Sequence, residues 1–152
     1  MTAEPAPFIE LARAAQRGLN VLVVEDHPVN RQVISLMLAR IPAAVTCAEN
    51  GVEGVEAFAK APYDIVLMDL RMPIMDGYEA MRRIRAAEAA AGRPPTPIIV
   101  VSAHTTPLER ARATEAGADH HIGKPIHVPT LLDAMDAVLA LRAAPEADQA
   151  QA

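Results

Sequence analysis

Apolar positions along the chain fall into short continuous runs separated by longer segments in which they recur every three or four residues. Ile65–Met68 is a run without polar alternation, the pattern of a strand covered on both faces, and Leu19–Val24, apolar apart from Asn20, and Ile98–Val101 are further strands. Ala44–Ala48 and Ala118–Ile122 are weaker runs that fit the same rhythm. Between them lie helical segments with recognisable starts. Pro28 suits a first helical position for a helix running to about Arg40, ahead of Pro42. On that helix Val29, Val33, Leu36 and Met37 share one side at 100° per residue, which predicts that they face the core and leaves Leu38 on the outer flank as a candidate partner contact. Asn50-Gly-Val-Glu53 opens a helix that ends before Pro62. Asp76 with Glu79 has capping-box spacing for a helix from Gly77 to about Ala91, and Thr106-Pro107-Leu108-Glu109 has the same spacing for a short polar helix. Leu131, Leu132, Met135, Val138 and Leu139 line a last amphipathic helix, and Phe8–Arg17 reads as a short helix with Phe8, Leu11, Ala12 and Ala15 on one face, closed by Gly18.

Five strands alternating with five helices, without hairpin signals, predict an α/β fold with a doubly wound five-stranded parallel sheet, of flavodoxin-like strand order 2-1-3-4-5. The 152 residues hold one domain, expected over residues 19–142, between an N-terminal tail with the short helix (1–18) and a disordered C-terminal tail (143–152). A second, output domain does not fit. A net charge of −5 with no dense Lys/Arg block disfavours direct nucleic-acid binding. Cys47 is the only cysteine, which excludes an internal disulfide or a Cys-based metal cluster and reads as a small core residue. No signal peptide or membrane-length apolar stretch is visible, so a cytoplasmic location without membrane insertion is expected.

Composition leaves the chemistry open; the strand ends narrow it. Glu25 and Asp26 follow the first strand, Asp69 ends the third, Ser102 ends the fourth and Lys124 follows the fifth. In an open parallel sheet these positions share the edge where ligands bind. Three clustered carboxylates raise one another's pKa unless a cation joins them, and Mg²⁺ held by carboxylates, waters and a phosphoryl group answers that need. Lys124 and the Ser102 hydroxyl are donors for the remaining phosphoryl oxygens. The set suits phosphoryl transfer to a carboxylate.

The sequence resembles the receiver domain of two-component response regulators over about Leu19–Leu141. The segments that carry the resemblance are Val23-Val24-Glu25-Asp26, Met68-Asp69-Leu70-Arg71-Met72-Pro73-Ile74-Met75-Asp76-Gly77, Val101-Ser102-Ala103 and Gly123-Lys124-Pro125. The resemblance implies that Asp69 accepts a phosphoryl group from a phosphohistidine. It implies that Glu25, Asp26, Asp69 and the Arg71 backbone carbonyl hold Mg²⁺, that Ser102 and Lys124 bind the phosphoryl group, and that the Lys124–Pro125 bond is cis. It makes Ser102 and His121 the switch pair, with His121 where the family usually has Tyr or Phe, and puts Arg71 and His104 at the positions that tune phosphoryl lifetime. The implied partners are a histidine kinase or a histidine phosphotransfer protein. The face built by the Thr106 helix, the fifth strand and the last helix would be read by a partner or would form a homodimer. The Glu25–Arg31 run and Ser102-Ala103-His104 look more like receivers attached to hybrid histidine kinases than like DNA-binding regulators.

The protein would thus be a signalling phosphoacceptor, self-catalysing its phosphorylation and dephosphorylation, rather than an enzyme acting on other substrates. Two other readings compete. A receiver-like scaffold could act without phosphorylation, and His121 leaves room for it. An aspartyl-phosphate hydrolase of the haloacid dehalogenase type would need an acid two residues after the nucleophile, where this chain has Arg71.

Overall fold

The computed structural model describes residues 9–151, with side chains to residue 142. Its elements are α1 (Ile9–Gln16), β1 (Leu19–Val24), α2 (Pro28–Leu38), β2 (Ala43–Ala48), α3 (Gly51–Lys60), β3 (Ile65–Asp69), α4 (Gly77–Ala91), β4 (Ile98–Ser102), α5 (Pro107–Ala116), β5 (His120–Gly123) and α6 (Val128–Gln151). The strands form one parallel sheet in the order β2-β1-β3-β4-β5. Fold class and strand order agree with the sequence expectation.

Alternation along the central strands divides the core into two layers. Val21, Val23, Ile65, Leu67, Ile99 and Val101 point to the side covered by α1, α2 and α6, where Leu11, Ile34, Leu38, Leu131, Met135 and Val138 meet them. Leu22, Val24, Val66, Met68, Ile98 and Val100 point to the other side and pack on Phe58, Met81, Ile84 and Ala113 of α3, α4 and α5. The helix starts follow their caps: Asp76 Oδ1 accepts from Glu79 N at 2.9 Å and Thr106 Oγ1 from Glu109 N at 3.2 Å. Glu79, however, turns to Arg82 and Arg83 instead of closing the reciprocal half of the box.

Several expectations change. On α2 the buried residues are Ile34 and Leu38, while Val29, Val33 and Leu36 are 57%, 41% and 65% exposed. Both stripes of this helix are apolar, so periodicity alone could not choose between them. Arg31 decides: its guanidinium reaches back to the carbonyls of Glu25 and Asp26, which turns the 31/34/38 side toward the sheet. On α1 it is Leu11 and Ala14 that are buried, not Ala12, and Phe8 lies outside the described residues. Cys47 is exposed, because β2 is an edge strand with only partial cover. β5 begins at His120, since Gly117 and Ala118 donate to Ala113 O at the end of α5 and Asp119 N to Ile98 O. α6 runs to Gln151, and side chains from 143 onward lie outside the described residues.

At the start of β4 and β5 a partly buried ion cluster, with Glu88 enclosed and Asp119 exposed, closes the sheet. Arg85 bonds Thr96 O, Gly117 O, Glu88 and Asp119, and Glu88 accepts from Thr96 N. The opposite edge, where the strands end, stays open.

Candidate functional site at the C-terminal edge of the sheet

Asp69 is the last residue of β3 and lies between the ends of β1 and β4 through the registers Val24↔Met68 and Asp69↔Val101. Glu25, Asp26 and Asp69 each offer a carboxylate oxygen within 4.8 Å of the other two. Glu25 and Asp69 are buried, and Asp26 is half-buried. Lys124 Nζ stands 3.1 Å from Glu25 Oε1 and 3.6 Å from Asp69 Oδ1, so the strand-five lysine does reach the acids. The peptide between Lys124 and Pro125 is cis.

Such crowding has an electrostatic consequence. Burial, the nearby Glu25 carboxylate and hydrogen bonding with Asp26 push Asp69 up to about 7, with Lys124 acting in the opposite direction. One ammonium does not neutralise three acids. The cleft is therefore short of positive charge, and its oxygen-only donor set fits a hard divalent cation.

The second wall is less direct. Ser102 is buried and lines the cleft together with His27, Asn30, Arg71 and Ala103, in a cavity of about 230 Å³. Its hydroxyl donates to His104 O at 3.1 Å and accepts from His104 N at 3.0 Å, so it is occupied by its own loop. Arg71 lines the cleft, yet its guanidinium points away and pairs with Glu109 of α5 at 2.7 Å. His121 is half-buried with both ring nitrogens enclosed and unpartnered. Burial first, then Arg110 and His120, holds it below the ordinary histidine range, which disfavours the charged ring. His104 enters the site only through its backbone contacts with Ser102.

Two contributors were not evident from sequence. Arg31 clamps the loop that carries Glu25 and Asp26, donating to both carbonyls at 2.9 and 3.0 Å. Glu109 holds Arg71, which joins the loop after Asp69 to α5. Their signals are single charged residues on helix faces, without meaning until the tertiary partners are known. Gly77 is a third positional requirement: a Cβ there would lie 2.2 Å from Asp69 O, so only glycine lets α4 start against the end of β3.

Comparison with known proteins agrees with this geometry. Residues 21–136 match the family described as response regulator receiver domain. The sensory/regulatory protein RpfC of Xanthomonas campestris is 37% identical over 129 residues, covering 85% of this chain and 18% of that protein. A probable histidine kinase 2 of rice is 37% identical over 135 residues, covering 80% of this chain and 13% of the relative. The chain thus spans less than a fifth of the length of these relatives. Among solved structures, the receiver domain of a Pseudomonas aeruginosa sensor histidine kinase, with magnesium in its active site cleft, superposes with a TM-score of 0.73 at 34% identity, over 81% of this chain and 98% of that one. The yeast Ssk1 receiver domain, solved in complex with the phosphotransfer protein Ypd1, gives a TM-score of 0.78 at 25% identity, over 83% and 92% of the two chains. With its sheet order, its acid cleft and its matched residues together, the chain belongs to the response regulator receiver domain family of two-component signalling proteins.

Proposed function

We propose that Asp69 is the phosphoacceptor and that the phosphoryl donor is a protein phosphohistidine. The observation that carries this reading is the meeting of Asp69, Glu25 and Asp26 within 4.8 Å, with Lys124 3.6 Å from the Asp69 carboxylate, at the open edge of the sheet. An Asp69 carboxylate oxygen attacks phosphorus, the P–N bond to the donor imidazole breaks, and its electron pair stays on the ring nitrogen, which takes up a proton. Glu25, Asp26, Asp69 and the Arg71 carbonyl would hold Mg²⁺, which when bound neutralises the acids and the phosphoryl oxygens. Lys124 is close enough to shift from Glu25 to a phosphoryl oxygen without leaving the cleft.

Switching follows from the second wall. The Ser102 hydroxyl must leave its His104 contacts to reach the phosphoryl group, and that loop runs into α5. His121, which has no hydrogen bond to lose, can follow inward. The face of α5, β5 and α6 would then report the state to a partner or to a second copy, and Leu108 on α5 and Leu141 on α6 are exposed apolar groups available to it. Arg71 and His104 hold the two positions that in this family tune phosphoryl lifetime, and a role for them here requires Arg71 to leave Glu109. The hydrolase reading lacks support: the residue two after Asp69 is an arginine paired with Glu109, which offers no general acid.

Val29, Val33 and Leu36 form an exposed apolar stripe on the helix that begins beside the cleft, where His27 and Asn30 line the wall. A protein that brings a phosphohistidine to this cleft would cover the stripe. Replacing both Val33 and Leu36 with Asp is expected to lower the rate of transfer from a phosphorylated histidine phosphotransfer protein by about tenfold or more, as loss of apolar anchors does. Labelling by acetyl phosphate should remain within about twofold, since the small donor does not use a docking face. Equal loss with both donors would contradict the assignment. No transfer from any phosphohistidine protein to the unsubstituted chain would remove the donor from the account.

A further inference from the structure

A second cavity, of about 420 Å³, opens between the β3–α4 loop and α5, and two polar groups on its wall have nothing to bond. Glu109 is 14% exposed; its Oε2 pairs with Arg71 at 2.7 Å, while its Oε1 is enclosed without a partner. Tyr78 is 9% exposed, and its hydroxyl is likewise enclosed and unpartnered. Each orphan carries a desolvation cost that bonding to the other would remove, since a phenol donates and a carboxylate accepts. Burial, and next the Glu109 carboxylate, hold the Tyr78 hydroxyl above its ordinary range, so the phenol keeps its proton beside an acceptor that it does not yet touch.

Arg71 is common to the walls of both cavities, this one and the acid cleft of about 230 Å³. Its guanidinium is 67% exposed, and Glu109 is its hydrogen-bond partner among the described residues. An exposed cation is held by such a pair only weakly, so a stronger demand elsewhere can draw it off. The acid cleft makes that demand: it sets one ammonium against three carboxylates, and an entering phosphoryl group adds further negative charge.

We infer that Glu109 is a positioning residue for phosphoryl transfer, which withholds Arg71 from the cleft in the resting chain and releases it to the incoming phosphoryl group by accepting from the Tyr78 hydroxyl instead. The inference rests on Asp69 as the phosphoacceptor. The exchange leaves Glu109 bonded in both states. Arg112, whose guanidinium lies 4.6 Å from the Tyr78 ring centroid, stays on the same wall as a counter-charge. Glu109 stands in the first turn of α5, directly after the Ser102–His104 loop, so the place of that helix and the availability of Arg71 are tied together.

The test follows acetyl phosphate labelling of the whole chain, with Mg²⁺ and subsaturating donor, in Glu109→Gln, Tyr78→Phe, Arg71→Ala and the Arg71→Ala, Glu109→Gln pair. Glu109→Gln keeps the size and loses the charge; it is expected to speed labelling about threefold to fivefold, through a lower KM for the anionic donor. The gain should fade in about 1 M salt, which screens an exposed cation. In the Arg71→Ala background the same substitution should change the rate by less than about 1.5-fold. Tyr78→Phe should slow labelling about twofold to threefold. Its Tm should equal or exceed that of the unsubstituted chain, because the hydroxyl it removes has no bond to lose. Tyr78→Phe carries the test if Glu109→Gln melts below the assay temperature. An unchanged or slower rate in Glu109→Gln would overturn the proposal, as would an equal gain with and without Arg71, or a Tyr78→Phe rate equal to that of the unsubstituted chain. No labelling of the unsubstituted chain by acetyl phosphate or by a phosphohistidine protein would instead overturn the phosphoacceptor reading, and this proposal with it.

Discussion

Replacing Lys124 with Ala is expected to slow acetyl phosphate labelling by about 100- to 1,000-fold, the usual cost of removing one preorganised donor from developing charge. Lys124 Nζ reaches Glu25 at 3.1 Å and Asp69 at 3.6 Å. The other cations near the cleft are engaged elsewhere, Arg71 with Glu109 and Arg31 with two backbone carbonyls. Without Lys124 the entering phosphoryl group meets three acids with only the bound cation to balance them. Arginine should restore little, because a planar fork does not occupy the place of a compact ammonium. Stopped-flow or mass-resolved labelling with saturating Mg²⁺ measures the effect, and a circular dichroism melt shows that the variant is folded. A rate within about threefold of the unsubstituted chain would remove Lys124 from the phosphoryl site.

The second large effect concerns Asp69→Asn, which should abolish labelling and at the same time stabilise the metal-free protein at alkaline pH. The sign follows from linkage. In the folded chain the Asp69 carboxyl is pushed from its ordinary 3.8 up to about 7, chiefly by burial and by Glu25. The folded state therefore keeps a proton that the unfolded state releases. The resulting stability is present below the ordinary value and is lost as pH rises through about 7. Asn carries no proton to lose. Without metal, the variant should melt close to the unsubstituted chain near pH 4 and clearly above it at pH 8. Adding Mg²⁺ should raise Tm of the unsubstituted chain at pH 8 and raise that of the variant much less, because one ligand charge is gone. Parallel melting curves for the two proteins across this range would show that the carboxylates do not repel one another as the geometry requires.

Much of this architecture is legible in sequence because it is encoded locally. Leu19–Val24 is bounded by Gly18 and by the Glu25-Asp26 pair, and its limits match those observed. Asp76 and Thr106 announce their helices through side chains that accept from backbone three residues on. The placement of Glu25, Asp26, Asp69, Ser102 and Lys124 around one cleft could be read for a related reason: in a parallel sheet, the residue after each strand has a known address. What could not be read depends on tertiary partners. On α2 the two apolar stripes are equivalent until Arg31 finds the Glu25 and Asp26 carbonyls. Cys47 looks like core until β2 proves to be the edge. Ser102 is at its expected place, but its hydroxyl is turned to His104, a detail of loop conformation. The positive φ of Ile74 leaves no trace in composition, since isoleucine is a residue that pattern reading assigns to strands.

The central claim is that Asp69 takes the phosphoryl group in a metal-dependent reaction. Its most direct test is the mass of the intact protein after incubation with acetyl phosphate, with and without Mg²⁺, followed by borohydride trapping and peptide mapping of the labelled position. The expected result is a gain of one phosphoryl group that requires Mg²⁺ and maps to Asp69. Label on another residue, label that persists when the metal is removed, or no gain from either acetyl phosphate or a phosphohistidine protein would contradict the account.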